Sequence, residues 1–155
     1  MLAQLLTGEI RPDHKFGTAA TLYVNNPYGQ GLSNAFAAAF ERRGGTVQAQ
    51  VPHPEEVQPT YSSQLDRALQ GQPDILVCVS YPGHTATYLK EARDVFGFTS
   101  WAFCDANRSE RVVEALGAEV LAGSLGTAPG QDPSIPGFQN FERTYTERFG
   151  RERVP

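Results

Sequence analysis

The chain has 155 residues, of which 40% are hydrophobic and 19% are charged, and its formal net charge is -4. This length allows one α/β-sized domain over residues 1–155 with its own core, and the balance of charge excludes a disordered chain and argues against nucleic acid as a partner. No apolar run approaches the roughly 18 residues of a membrane-spanning helix.

Strand-like and helix-like patterns alternate along the chain. Apolar runs predict strands over residues 19–25, 46–51, 74–80, 100–104 and 120–127. Between and after them, apolar residues recur at three- and four-residue spacing, which predicts amphipathic helices. The stripes are Leu32, Phe36 and Phe40; Tyr61, Leu65, Ala68 and Leu69; Tyr88, Leu89, Ala92 and Phe96; Val112, Val113 and Leu116; and Phe138, Phe141, Tyr145 and Phe149. This alternation predicts an α/β fold with an open parallel five-stranded sheet, flavodoxin-like order 2-1-3-4-5, and helices on both faces.

Shorter elements and chain ends are less regular. Residues 1–8 predict a short amphipathic helix, and Asn107 with Glu110 predicts a capped start for the helix that Gly117 would end. Residues 151–155 follow the last helix without a closing element, which is typical of a piece of a longer protein. Cys78 and Cys104 lie in apolar runs typical of buried thiols, and their redox state stays open.

The loops at the carboxyl ends of the strands are the candidate site. These are residues 25–29, 80–84, 105–107 and 129–131, and the predicted strand order makes the first three neighbours. We therefore expect Tyr28, Tyr81 and Asp105 to converge. Two tyrosine rings and one carboxylate suit an ammonium group, because the carboxylate gives a charge-assisted hydrogen bond and the rings add cation–π attraction. The structural alternative is that both tyrosines only plug the edge of the sheet and Asp105 only leads into a helix cap.

A nucleotide-binding loop is the first competing interpretation of the turn after strand one. The run from Gly29 to Asn34 places asparagine at the third glycine position of the dinucleotide pattern. Glu55 and Glu56 come too late after strand two to meet a ribose. We therefore expect no nucleotide or flavin cofactor.

A hydrolytic or metal site is the second competing interpretation. Ser80, His84 and Asp105 could form a triad, but Cys78 and Pro82 stand where a nucleophile elbow needs small glycines. We predict instead that Ser80 bonds local backbone and that His84 faces solvent from the first turn of its helix. No histidine or cysteine pair has the spacing of metal ligands, so no metal is expected.

Three segments together resemble one known family. YVNNPYGQGLSNAF, DILVCVSYPG ahead of a helix, and WAFCDAN closely resemble the second lobe of the type I periplasmic binding proteins of branched-chain amino acid transporters, over roughly residues 18–155. The resemblance implies a solute-binding protein whose two lobes close on a hinge over an amino acid. It further implies delivery to the membrane permease of an ABC transporter, a periplasmic or extracytoplasmic location, and no catalysis. Residues 1–16 show no export-signal pattern, so the location comes from the resemblance alone.

The resemblance also carries site residues. In the family, second-lobe contacts to the ligand come from a tyrosine in the Y-G-x-G turn, a tyrosine after strand three and an acidic residue after strand four. Tyr28, Tyr81 and Asp105 match these positions, and the acid there receives the ligand's α-ammonium. Asp105 stands where a longer glutamate is common, which leaves the identity of the ligand open.

Absence of the first lobe has two expected consequences. A single lobe supplies about half of the contacts to a ligand that is normally 70–90% buried, so the isolated chain should bind amino acids only weakly. Its uncovered cleft face makes a dimer of the isolated lobe a reasonable hypothesis. Two alternative functions stay open: a sensor domain of the same fold in a signalling or transcriptional regulator, and a flavodoxin-like nucleotide-binding enzyme.

Overall fold

All five predicted strands form one parallel sheet. The computed structural model describes residues 1–130 and 134–150. The strands are β1 (Thr18–Val24), β2 (Thr46–His53), β3 (Ile75–Val79), β4 (Trp101–Phe103) and β5 (Leu125–Gly126). Their order is β2-β1-β3-β4-β5 and every pair is parallel, which confirms the predicted fold class and strand order.

Helices cover both faces of this sheet, as the continuously apolar strands require. They are α1 (Leu2–Leu6), α2 (Pro27–Glu41), α3 (Ser62–Leu69), α4 (Pro82–Asp94), α5 (Glu110–Leu116), α6 (Ala118–Leu121) and α7 (Pro136–Phe149). Buried residues of α3, α4 and α5 form one core with the sheet, and those of α1 and α2 form the other. All five residues of β3 are buried, because this central strand faces helices on both sides.

The fifth predicted strand is wrong over its first half. The predicted strand covered residues 120–127. Residues 118–121 form α6 instead, and β5 contains only two residues. Ala118, Glu119 and Leu121 favour helix, and Gly123 then turns the chain with a φ of 82°. β4 is itself only three residues long, so the edge offers few backbone partners for a longer strand.

The packing predicted for the last helix is also wrong. No residue of α7 is buried, and Phe141 and Phe149 of its apolar stripe are exposed. The ring of Tyr145 contacts both of theirs in tilted geometry, with centroids 5.6 Å from Phe141 and 4.9 Å from Phe149. The stripe therefore packs along its own helix instead of covering the sheet. The predicted loop position Gln131 and the tail at 151–155 lie outside the described residues.

Candidate functional site

Tyr28, Tyr81 and Asp105 lie together at the carboxyl edge of the sheet, as the strand order led us to expect. The Tyr28 and Tyr81 rings stack with centroids 5.8 Å apart and an angle of 16° between planes. The Tyr28 hydroxyl donates a hydrogen bond to Asp105 Oδ1 at 2.8 Å. Tyr28 is the second residue of α2, Tyr81 immediately precedes α4, and Asp105 begins a 3₁₀ turn after β4. We call these three residues and their immediate neighbours the rim.

The start of α2 fixes the position of Tyr28. Asn26 caps the helix in extended conformation, its Oδ1 accepting the Gly29 N–H at 3.0 Å, and Pro27 occupies the first helical position. A Cβ on Gly29 would lie 2.0 Å from the carbonyl oxygen of Val24, whereas one on Gly31 would meet nothing within 4 Å. Gly29 is thus needed for close packing of the helix on its own strand. That packing explains the glycine without a bound phosphate.

The electrostatics of the rim favour a cation. Burial and the hydrogen bond to Asp105 raise the pKa of Tyr28, so its phenol stays protonated and can only donate to the carboxylate. Asp105 is exposed, and no basic side chain among the described residues pairs with it. One face of the carboxylate is therefore open to a donor from a ligand.

Two further residues belong to the rim that the sequence reasoning did not single out, although Asn26 lies in one of the selected loops. Asn26 Nδ2 donates to Glu55 Oε1 at 2.8 Å and to the Tyr81 hydroxyl at 3.3 Å. Glu55 belongs to the loop that follows β2, and this strand also ends at the same edge of the sheet. The signal was present in the strand order, but the four loops selected from the sequence did not include this one.

A buried histidine pair lies beneath the rim, and it corrects two predictions. His84 does not face solvent but is 3% exposed, and its ring centroid lies 4.7 Å from that of His53. Ser80 does not bond local backbone, since its hydroxyl meets His53 Nε2 at 2.8 Å. The reason is that residues 54–61 lie against the start of α4: Val57 lies beside Gly83, and Tyr61 contacts the rings of both His53 and His84.

Burial favours the neutral form of both rings, and their hydrogen bonds are compatible with one tautomer on each. His53 Nδ1 donates to the Pro54 carbonyl at 2.7 Å, so Nε2 accepts from Ser80. His84 Nδ1 meets the Tyr61 hydroxyl at 2.7 Å, and since that hydroxyl accepts the N–H of Gln58, its own proton can go to Nδ1. Burial lowers the pKa of His53 to about 4 and lowers that of His84 as well.

This geometry does not support the hydrolase interpretation. Ser80 is fully buried, so a substrate cannot reach its hydroxyl, and its partner is His53 instead of the expected His84. Asp105 orients no histidine but accepts from Tyr28. The Ser80 and His53 pair therefore has a structural role.

Asn107 does not cap α5 as predicted. Ser109 is the N-cap residue, its hydroxyl accepting the N–H of Arg111 at 3.3 Å. Asn107 is buried, where its Oδ1 accepts the Cys104 N–H and its Nδ2 donates to the Ser80 carbonyl and to Thr85. It therefore ties the turn that carries Asp105 to the neighbouring strand and helix.

A mostly apolar cleft of about 340 Å³ also borders Asp105. It is lined by the start of α1, one side of α2, Cys104 and residues 127–129.

Cys78 and Cys104 are buried free thiols, and burial raises the pKa of each to about 12. Within residues 1–130 and 134–150, no group of three or more potential metal ligands is assembled. In the same part of the chain, no helix is both long and apolar enough to cross a membrane.

Comparison with known proteins identifies relatives of this fold. The sequence profile described as "Periplasmic binding protein" matches residues 2–155. Among curated protein sequences, none is significantly similar to the chain. A leucine-binding protein, LivK, from Thermotoga maritima is 25% identical with a TM-score of 0.74, and the match covers 97% of this chain and 43% of that one.

Two more solved structures share the fold at lower identity. A branched-chain amino acid ABC transporter protein from Thermus thermophilus with bound valine is 16% identical, with a TM-score of 0.69 over 97% of this chain and 39% of that one. A fatty acid ABC transporter substrate-binding protein from Thermomonospora curvata is 15% identical, with a TM-score of 0.69 over 98% and 41%. The chain thus spans less than half the length of each of these structures.

Proposed function

The chain belongs to the periplasmic binding protein family, and we propose that it forms the second lobe of the solute-binding protein of an ABC transporter. The chain forms one five-stranded parallel sheet and covers about two fifths of each solved relative, which supports one lobe of a two-lobed protein. The rim lies at the open carboxyl edge of this sheet, where a facing lobe would enclose a ligand.

The observation that carries the proposal is the meeting of Tyr28, Tyr81 and Asp105. We propose that the exposed carboxylate receives the ammonium group of an amino acid while the stacked rings form one wall of the site. A charge-assisted hydrogen bond contributes about 1.5 to 3 kcal/mol, and an aromatic face adds cation–π attraction. The leucine-binding and valine-bound relatives support an amino acid, whereas the fatty acid relative shows that this fold also serves ligands without an amine.

The role follows the family in its other aspects. The protein would bind its solute outside the cytoplasm without chemical change, need no cofactor, and pass the solute to a membrane permease. Absence of a basic partner for Asp105 in the described part of the chain supports a site built for a cationic group. Dimerisation of the isolated lobe stays a prediction.

The test is a binding screen of amino acids against the intact two-lobed protein by thermal shift, with Asp105→Asn as the variant. Loss of the charge-assisted bond should weaken binding about 10- to 100-fold while leaving folding unchanged. Asp66→Asn, which removes the same charge from an exposed position on α3, is the matched control. An unaltered response in Asp105→Asn would remove this carboxylate from the site.

The isolated chain gives a second test. If the two-lobed protein binds at about 1 μM, half of that free energy leaves an affinity of roughly 1 mM for one lobe. Titration calorimetry that detects micromolar binding of an amino acid to this chain alone would contradict the division of contacts between two lobes.

A further inference from the structure

We infer that Asn26 is a positioning residue, which holds Tyr81 stacked on Tyr28 and thereby preorganises the rim. The basis is the orientation of a single amide. Its Oδ1 is used by the helix cap, accepting the Gly29 N–H at 3.0 Å, so its Nδ2 must point away from the helix. The two N–H groups of Nδ2 then meet two acceptors, Glu55 Oε1 at 2.8 Å and the Tyr81 hydroxyl at 3.3 Å.

Tyr81 needs such an anchor more than Tyr28 does. Its side chain is 38% exposed, whereas Tyr28 is half-buried and has the strong acceptor Asp105. The backbone of Tyr81 is fixed at the start of α4, where its carbonyl accepts from the N–H and the hydroxyl of Thr85. The ring itself is held by stacking on Tyr28, by a tilted contact with the His84 ring at 6.3 Å between centroids, and by the bond from Asn26. Without that bond, an exposed ring can leave the stack at little cost.

Asn26 also joins three segments that are distant in sequence. It lies between β1 and α2, Glu55 lies between β2 and α3, and Tyr81 lies between β3 and α4. Each segment follows a different strand, so the sheet brings their ends close but does not fix their side chains. One amide with its acceptor committed to the cap fixes two of those side chains at once.

The consequence for binding rests on the proposed function of the rim. A ligand that must order a loose Tyr81 bears the entropy of immobilising one side chain, which corresponds to about a 2- to 10-fold loss of affinity. The geometric part of the inference does not depend on any ligand. The two parts can therefore be tested separately on this chain.

The geometric test is two-dimensional NMR of the ligand-free chain with Asn26→Ser. Serine is as good a helix cap as asparagine, so α2 should persist, but its side chain is too short to reach the Tyr81 hydroxyl. We expect nuclear Overhauser effects between the Tyr28 and Tyr81 rings to fall at least twofold while the Gly29 amide keeps its chemical shift. Asn34→Ser, the same change at an exposed position of α2, is the matched control and should leave the inter-ring signals intact. Unchanged inter-ring signals in Asn26→Ser would overturn the inference.

The binding test is a double-mutant cycle titrated with L-valine at millimolar concentration and followed by NMR. Asn26→Ser should weaken binding about 2- to 10-fold in the wild-type background. In the Tyr81→Phe background the loss should be less than about 1.5-fold, because both substitutions remove the same hydrogen bond between Asn26 and Tyr81. Equal losses in both backgrounds would show that Asn26 does not act through Tyr81 and would overturn the inference. If wild-type chain shows no response to L-valine while the inter-ring signals fall as expected, the positioning role stands and L-valine fails as a ligand of the rim.

Discussion

Acid should destabilise this fold through its buried histidine pair. His53 is 1% exposed, and burial lowers its pKa from 6.5 to about 4 in the folded chain. In the unfolded chain the ring returns to its ordinary pKa, so the unfolded state binds a proton first as the pH falls below 6.5. The stabilising contribution is therefore complete above pH 6.5 and is lost progressively as the pH falls towards 4.

The magnitude follows from the two pKa values. With pKa values of 6.5 and about 4, the difference in proton binding between the two states costs about 2 kcal/mol at pH 5 and approaches about 3 kcal/mol at lower pH. His84, whose pKa is also lowered by burial, acts in the same direction. The interval from pH 7 to 5 is the informative one. Hydrogen bonds lower the pKa of Asp74 and of Glu91, so these carboxyl groups titrate below that interval.

Urea unfolding at pH 7 and pH 5 measures this effect. The single tryptophan, Trp101, is 2% exposed, so its fluorescence reports loss of the core. We expect the free energy of unfolding of the wild type to fall by at least about 2 kcal/mol over this interval. In His53→Gln, which has no titrating ring, the fall should shrink by about 2 kcal/mol. A wild-type loss below about 0.5 kcal/mol, or equal losses in both proteins, would refute the burial argument.

Three other substitutions test the packing that supports the rim. Gly29→Ala should destabilise the chain by more than about 2 kcal/mol in urea, because a Cβ there would lie 2.0 Å from a backbone oxygen, while Gly31→Ala should be neutral or stabilising by up to about 1 kcal/mol. Equal effects would show that the close approach is not present in solution. Asn107→Ala leaves buried backbone groups unpaired and should cost about 1 to 3 kcal/mol by thermal unfolding; a cost below about 0.5 kcal/mol would contradict its role. Phe141→Ser should change stability by less than about 0.5 kcal/mol because the ring is 47% exposed, and a loss of about 2 kcal/mol would show that α7 packs against the lobe.

Much of the fold was predictable because its signals are local. Apolar periodicity locates β1 to β4 and α2 to α5 within a few residues, and the alternation of strands and helices determines a parallel sheet. The same periodicity does not identify the partner of an apolar face. The stripe of α7 shows this, since it has the spacing of a buried face but no buried residue in the described chain.

Convergence of Tyr28, Tyr81 and Asp105 was predictable for a topological reason. Parallel strands end at one edge, and the order β2-β1-β3-β4-β5 makes three of those ends neighbours, so residues that follow them meet without any long-range signal in the sequence. No comparable rule determines the path of a loop. His53 ends β2 and Glu55 follows it closely, yet their contacts depend on how residues 54–61 fold back, which no spacing in the sequence specifies.

This difference explains why the layer under the rim was missed while the rim itself was found. In the buried layer, Ser80 bonds to His53 and Tyr61 bonds to His84, so the side chains satisfy each other's donors and acceptors. None of these residues belongs to a recognisable motif in its own segment. One neutral tautomer on each ring is compatible with these bonds, and burial makes the charged form of each ring costly, so protonation weakens the packing of the loop of Glu55 against the start of α4. If acid opens this layer, Glu55 should separate from Asn26 before the sheet unfolds, and the inter-ring signals of Tyr28 and Tyr81 should weaken progressively as the pH falls from 6.5 towards 4. Signals that persist until global unfolding would show that the rim is held independently of the histidines beneath it.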